Sequence, residues 1–129
     1  MENKKNHPKK AIRIDVKNKC FEVVEIYTYK DIYQHIGTSC IMFEVAHSFP
    51  NADAMYVDEE GLYHECEGGF TIKGWSNPVL GNALVIGTDI TNGENKSVLS
   101  TIAELKEKII FVSTNKCKKW VLNFIKLSR

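Results

Sequence analysis

Long hydrophobic runs are missing from this chain. The longest uninterrupted apolar stretches, residues 83–86 and 109–112 among them, are four residues, far short of the about 20 a membrane-spanning helix requires. The Lys-rich N-terminus has no apolar core of the kind a secretory signal needs, so a cytoplasmic protein with no membrane association is expected. Paired thiols are missing too. Cys20, Cys40, Cys66 and Cys117 include no Cys-x-x-Cys, which speaks against a thiolate metal centre and, in a reducing cytosol, for free and mostly buried thiols. His64 and Cys66 share one face of a strand and, with His47 and Cys40, could assemble a metal site. A core thiol beside an edge histidine explains the same residues, and no metal or other cofactor is expected. Catalytic spacings are equally scarce: no Ser-His-Asp or Cys-His pattern and no phosphate-cradling loop can be found, so an enzyme is not expected.

What is present fits a soluble globular domain. The 129 residues are 43% hydrophobic and 26% charged, enough to bury roughly two-thirds of the unfolded surface around one core. Charge is balanced overall but segregated. Seven Lys/Arg residues fall in 1–19 and five in 115–129, whereas 31–94 holds ten acids against Lys73 alone. An acidic body with basic ends results, and the ends suit phosphate backbones as well as they suit plain solvation.

The pattern along the chain predicts an α+β fold, mainly antiparallel β-sheet with about six to eight short strands, two short helices and a C-terminal amphipathic helix. Residues 1–10 read as a flexible basic arm, 11–114 as a single domain and 115–129 as a basic tail. Ile12, Ile14 and Val16 alternate with polar residues, Asn18-Lys19 makes a tight turn, and residues 21–26 return as a second strand. Thr28 with Asp31 has capping-box spacing, Ile32 and Ile36 share a helical face, Tyr29 and Tyr33 lie on another side, and Gly37 stops the helix. His35 is expected to be an exposed helix residue. Residues 39–47 read as a third strand and 54–57 as a fourth. The acidic turn 58–61 leads into a strand over 62–66; its three acids suit a solvated tip better than a calcium loop, which needs alternating oxygen ligands. Residues 90–98 form a polar loop, Thr101 with Glu104 caps a second helix carrying Ile102, Leu105 and Ile109, and residues 109–113 close as a strand.

In the tail, Trp120, Phe124 and Leu127 share a face flanked by Lys116, Lys118, Lys119 and Lys126. Three uses remain open for it: docking on the protein's own sheet, packing against a second copy or a host protein, or lying on a membrane surface. Lys118, Lys119, Trp120 and Phe124 are the candidate partner-binding residues.

Residues 68–89 concentrate five glycines, Pro78, Trp75, Asn77 and Asn82. Two apolar runs, 70–72 and 83–86, flank the connector and read as a hairpin. A flat ligand with polar edges, such as a nucleotide, would stack on Trp75 and bond Asn77, Asn82, Thr88 or Asp89; structural glycines around a core tryptophan account for the same residues.

The Asp58-Glu59-Glu60-Gly61-Leu62 turn followed by Pro78-Val79-Leu80-Gly81-Asn82-Ala83-Leu84-Val85-Ile86-Gly87 resembles a family of small proteins of unknown function encoded by bacteriophages and mobile elements. The resemblance covers about residues 11–112 and leaves out the tail. It implies an accessory protein in a bacterial cytoplasm, of a kind used to disarm host systems. The function expected is therefore a non-enzymatic binding protein that counters a host defence, by sequestering a nucleotide-like signal or by covering a host protein. The alternative is a nucleic-acid-associated accessory protein that uses its basic ends.

Overall fold

The computed structural model describes residues 7–37, 40, 42–58, 68–74, 78–113, 115 and 119. Alternation near the N-terminus produces the expected hairpin: β1 (Lys9–Asp15) pairs antiparallel with β2 (Cys20–Ile26), from Lys9↔Ile26 to Asp15↔Cys20. The strand opens two residues earlier than the sequence suggests, taking Lys9 and Lys10 out of the basic arm. Hydrogen bonds explain this: the Lys10 amide donates to Ser97 Oγ at 3.0 Å, and the Lys10 carbonyl accepts from the Val98 amide at 2.8 Å. The turn is also wider than Asn18-Lys19. It takes in residues 16–19, with Asn18 donating from its amide and its side chain to the Asp15 carboxylate and Lys19 at φ 54°.

Helix α1 (Tyr29–Ile36) follows with the full capping box. Thr28 Oγ1 accepts from the backbone of the first turn, and Asp31 Oδ2 accepts from the Thr28 amide at 3.0 Å. Ile32 and Ile36 are buried against Ala11, Ile26, Leu84 and Ile86. Eight residues cannot hold a helix alone, and this apolar seam supplies the stability. His35 is half-buried, not exposed, because Arg13 reaches from β1 to the helix end and donates through Nε to the His35 carbonyl at 3.1 Å. Burial first, and then the Arg13 charge, lower the His35 pKa.

Strand β3 (Phe43–Ser48) starts later than residue 39. Gly37 lies at the helix end, its carbonyl accepts from the Cys40 amide, and the Cys40 thiol is buried and donates to the Met42 carbonyl. β4 (Ala54–Asp58) pairs with β3 across a bulge between Val45 and His47. The expected strand at 62–66, and most of the acidic turn before it, lie outside the described residues.

The central stretch does not form the predicted hairpin between its two apolar runs. β5 (Gly69–Ile72) pairs with the two-residue β6 (Val79–Leu80) and with β9 (Ile109–Val112). β7 (Ala83–Thr88) instead lies between β1 and β4 in a different sheet. Gly81 makes the switch possible: at φ 88°, a conformation glycine takes freely, its amide donates to the Gly68 carbonyl and closes the short hairpin. Asn82 Oδ1 then accepts from the Val16 amide at 2.9 Å and anchors the chain to the first hairpin. The 90–98 loop contributes a two-residue strand, β8 (Asn95–Lys96), paired with the end of β7. Thr101 and Glu104 complete a second capping box on α2 (Ile102–Lys108), of which Leu105 is buried.

The chain is thus α+β, with every strand pairing among the described residues antiparallel. The larger sheet runs β2-β1-β7-β4-β3 and the smaller β6-β5-β9. The larger sheet is the middle layer. α1 covers one face, and the smaller sheet with α2 covers the other, where Ile12, Ile14, Met55, Val57 and Val85 meet Phe70, Ile72, Leu105 and Ile109. As the central strand β7 is covered on both faces, residues 83–87 are all buried, which is why its sequence is continuously apolar and not alternating.

Candidate functional site

The described members of the ligand site expected at residues 75–89 stand apart from one another. Trp75 and Asn77 lie outside the described residues. Asn82 precedes β7 and Thr88 ends it, six residues apart, or about 20 Å at strand rise. One planar ligand does not bridge them. Each also has internal work. The Asn82 side-chain oxygen is used by Val16, and Thr88 pairs with Asn95. Asp89 is taken up by a local turn: its Oδ1 accepts from the Thr91 hydroxyl at 2.6 Å and the Thr91 amide at 2.9 Å, and these bonds hold its pKa below the usual 3.8. Nor is the Gly87 end of β7 open, since a Cβ added there would stand 2.5 Å from the Ser97 carbonyl oxygen. Of the partner-binding candidates, Lys118, Trp120 and Phe124 lie outside the described residues, and Lys119 is helical and exposed.

Two surfaces have more to offer. The first is a row of aromatic rings on the α1 side of the larger sheet. Tyr29 meets Tyr33 edge-on at 6.3 Å, Tyr33 meets Phe43 at 4.8 Å, and Phe43 meets Tyr56 at 4.9 Å. Register places Val45 opposite Tyr56 and so on the same face. The row ends at β3, which among the described residues pairs on its inner edge only. Tyr29 is 64% exposed and Val45 49%, so the outer half of this face presents large apolar groups to solvent, and Met42, 55% exposed, stands just before β3. The i, i+4 spacing of Tyr29 and Tyr33 is the one trace of it in the sequence. Phe43 and Tyr56 join it only through strand pairing. Burial raises the Tyr56 pKa, and its hydroxyl stands 3.4 Å from Asn95 Oδ1.

The second surface is a groove of about 360 Å³ lined by Lys19, Cys20, Phe21, Lys106, Ile109 and Phe111. The β1–β2 turn supplies one wall, and the junction of α2 with β9 supplies the other. Phe21 and Phe111 touch across it, with ring centroids 5.5 Å apart and planes at 56°. No sequence spacing marks this site, because its residues come from segments far apart in the chain.

Nucleophile and metal chemistry find little footing among the described residues. Burial, followed by the Asp58 charge, pushes the Cys40 thiol up to about 11, which leaves it protonated at neutral pH. No group of three or more His, Cys, Asp and Glu side chains that could hold a metal occurs among the described residues; His64 and Cys66 lie outside them. No described helix is long and apolar enough to cross a membrane. No protein-family model matches the chain, and neither a curated protein nor a solved structure matches it.

Proposed function

We propose that this chain is a non-enzymatic accessory protein of a bacteriophage or mobile element that acts in the bacterial cytoplasm and counters a host defence by covering a host protein. The observation that carries this reading is the aromatic row Tyr29–Tyr33–Phe43–Tyr56, which runs out to the β3 edge that no described strand pairs, with exposed Met42 and Val45 nearby. Tyrosine, other aromatics and methionine are the residues that concentrate at protein interfaces, where rigid rings bury large areas at small entropic cost. The outer edge of β3, unpaired among the described residues, adds backbone donors and acceptors that a partner strand can pair with. The resemblance to phage-encoded proteins supports the biological setting. Covering a protein is favoured over sequestering a signal at residues 82–89, because Asn82 and Asp89 accept internal hydrogen bonds at opposite ends of β7.

The test is co-purification from a bacterial host, with quantification of retained proteins, for wild type and for a Tyr29→Lys/Val45→Lys double variant. Both substitutions are at exposed positions, so the fold should persist. A host protein retained at a one-to-one ratio by wild type and lost by the double variant is expected. Equal retention by the folded double variant would refute the reading, as would the absence of any stoichiometric protein.

A further inference from the structure

The Lys19–Phe111 groove lies apart from the aromatic face, and its chemistry is of another kind. We propose that it binds a phosphorylated planar ligand of the nucleotide class, with the ring against Phe21 and Phe111 and the phosphate held by Lys19 and Lys106.

Charge is the first argument. Among the described residues, the lining contains two ammonium groups and no carboxylate. Both lysines are exposed, and among the described residues neither has a hydrogen-bond or ion-pair partner. They converge from different elements, one from the β1–β2 turn and one from α2, on a single groove within a body whose middle stretch is acidic. Ammonium groups are compact charges that follow phosphate oxygens without a fixed fork geometry, and a bond between ionised partners is roughly twice as strong as a neutral one.

Shape is the second. A volume of about 360 Å³ lies at the lower end of the range for small-molecule sites and admits one compact ligand, not a peptide helix. Phe21 and Phe111 are half-buried against the main core, with Ile109 buried beside them, so the apolar part of the groove is rigid and pre-formed. Tilted phenyl rings of this kind offer a face and an edge to a third aromatic ring.

Backbone conformation is the third. Lys19 sits at φ 54°, in the left-handed region where glycine or asparagine is the ordinary occupant and a lysine is held at a cost. Strain of this sort at the rim of a groove points to a side chain retained for what it does there.

Cys20 supplies a built-in reporter, being an exposed free thiol in the lining. The full-length protein is alkylated with iodoacetamide, and the peptide carrying Cys20 is followed by mass spectrometry with adenosine monophosphate, guanosine monophosphate, adenosine or inorganic phosphate present. At least one mononucleotide should slow Cys20 alkylation several-fold, whereas adenosine and phosphate alone do so far less. Lys19→Gly and Lys106→Gln should each weaken the protection by about tenfold, with urea midpoints confirming that both remain folded. Failure of both mononucleotides to protect at millimolar concentration would overturn the proposal. So would equal protection by phosphate or adenosine alone, or undiminished protection in a folded Lys19→Gly/Lys106→Gln double variant. The aromatic-face variants leave this experiment unaffected, so it stands or falls independently of the host-protein reading.

Discussion

Asp53 is a fully buried carboxylate, and the hydrogen bonds around it set what its removal should cost. Its Oδ2 accepts from the Ser100 amide at 2.7 Å, and its two oxygens share the Leu99 amide at 3.1 and 3.2 Å. The Asp53 amide donates to Asn51 Oδ1, while Asn51 Nδ2 donates to Ser100 Oγ. One polar knot therefore joins the start of β4 to the segment that leads into the α2 cap. Asp53→Ala strands two amide donors. Bonds to a charged acceptor contribute about 1.5–3 kcal/mol each, and part of that is offset because burying the carboxylate itself costs several kcal/mol. A net loss of about 2–4 kcal/mol follows. Asp53→Asn keeps one acceptor oxygen and should lose about half as much. Urea unfolding provides the assay: with a slope of about 2 kcal/mol per molar, the middle of the range for small proteins, the alanine midpoint should drop by roughly 1–2 M at an unchanged slope, and hydrogen exchange at Leu99 and Ser100 should accelerate. A midpoint for Asp53→Ala equivalent to less than about 0.5 kcal/mol of change, the scatter of neutral surface substitutions, would refute the reasoning.

Other consequences can be checked on the same preparation. Gly87→Ala places a methyl group 2.5 Å from the Ser97 carbonyl oxygen, a backbone atom that cannot rotate away, so a loss of about 1–3 kcal/mol is expected by thermal unfolding. Lys19→Gly relieves the left-handed conformation at φ 54° and should raise the urea midpoint by an amount equivalent to about 0.5–1 kcal/mol; an unchanged or lower midpoint would contradict the strain assigned to this turn. The pKa of Asp15 is the outcome of opposing effects: burial raises it, but the Asn18 amide and side chain, Arg13 and the Lys17 amide together bring it below 3.8. A depressed folded pKa means stability that is fully present above the unfolded value and lost as pH falls through the folded one. The urea midpoint should therefore decline below about pH 4, and Asp15→Asn should flatten that decline while lowering the midpoint at pH 7.

Local patterns were legible in the chain itself. Both capping boxes, Thr28 with Asp31 and Thr101 with Glu104, are complete as their spacing requires, because a cap involves residues three apart and needs nothing from the rest of the molecule. The β1–β2 hairpin and the buried Ile32–Ile36 seam were legible for the same reason. The pairing of the central stretch was not. Two apolar runs beside a glycine-rich connector look alike whether they pair with each other or part company, and here β7 leaves for a position between β1 and β4. Residues 82, 88 and 89 bracket this run whichever strand it pairs with, and on an extended strand they stand at opposite ends.

By itself the sequence determined the fold class, the helix starts and the first hairpin, all of them consequences of periodicity, capping and composition within a few residues. The tertiary structure alone decided which strands neighbour one another, and with them the surfaces that carry function. Phe43 and Tyr56 extend the Tyr29–Tyr33 pair only because β3 and β4 meet in register beside α1. Lys19 and Phe21 face Lys106 and Phe111 only because the smaller sheet packs across the first hairpin. Contacts between distant segments are selected by the burial of whole faces against one another, and no spacing along the chain records that choice.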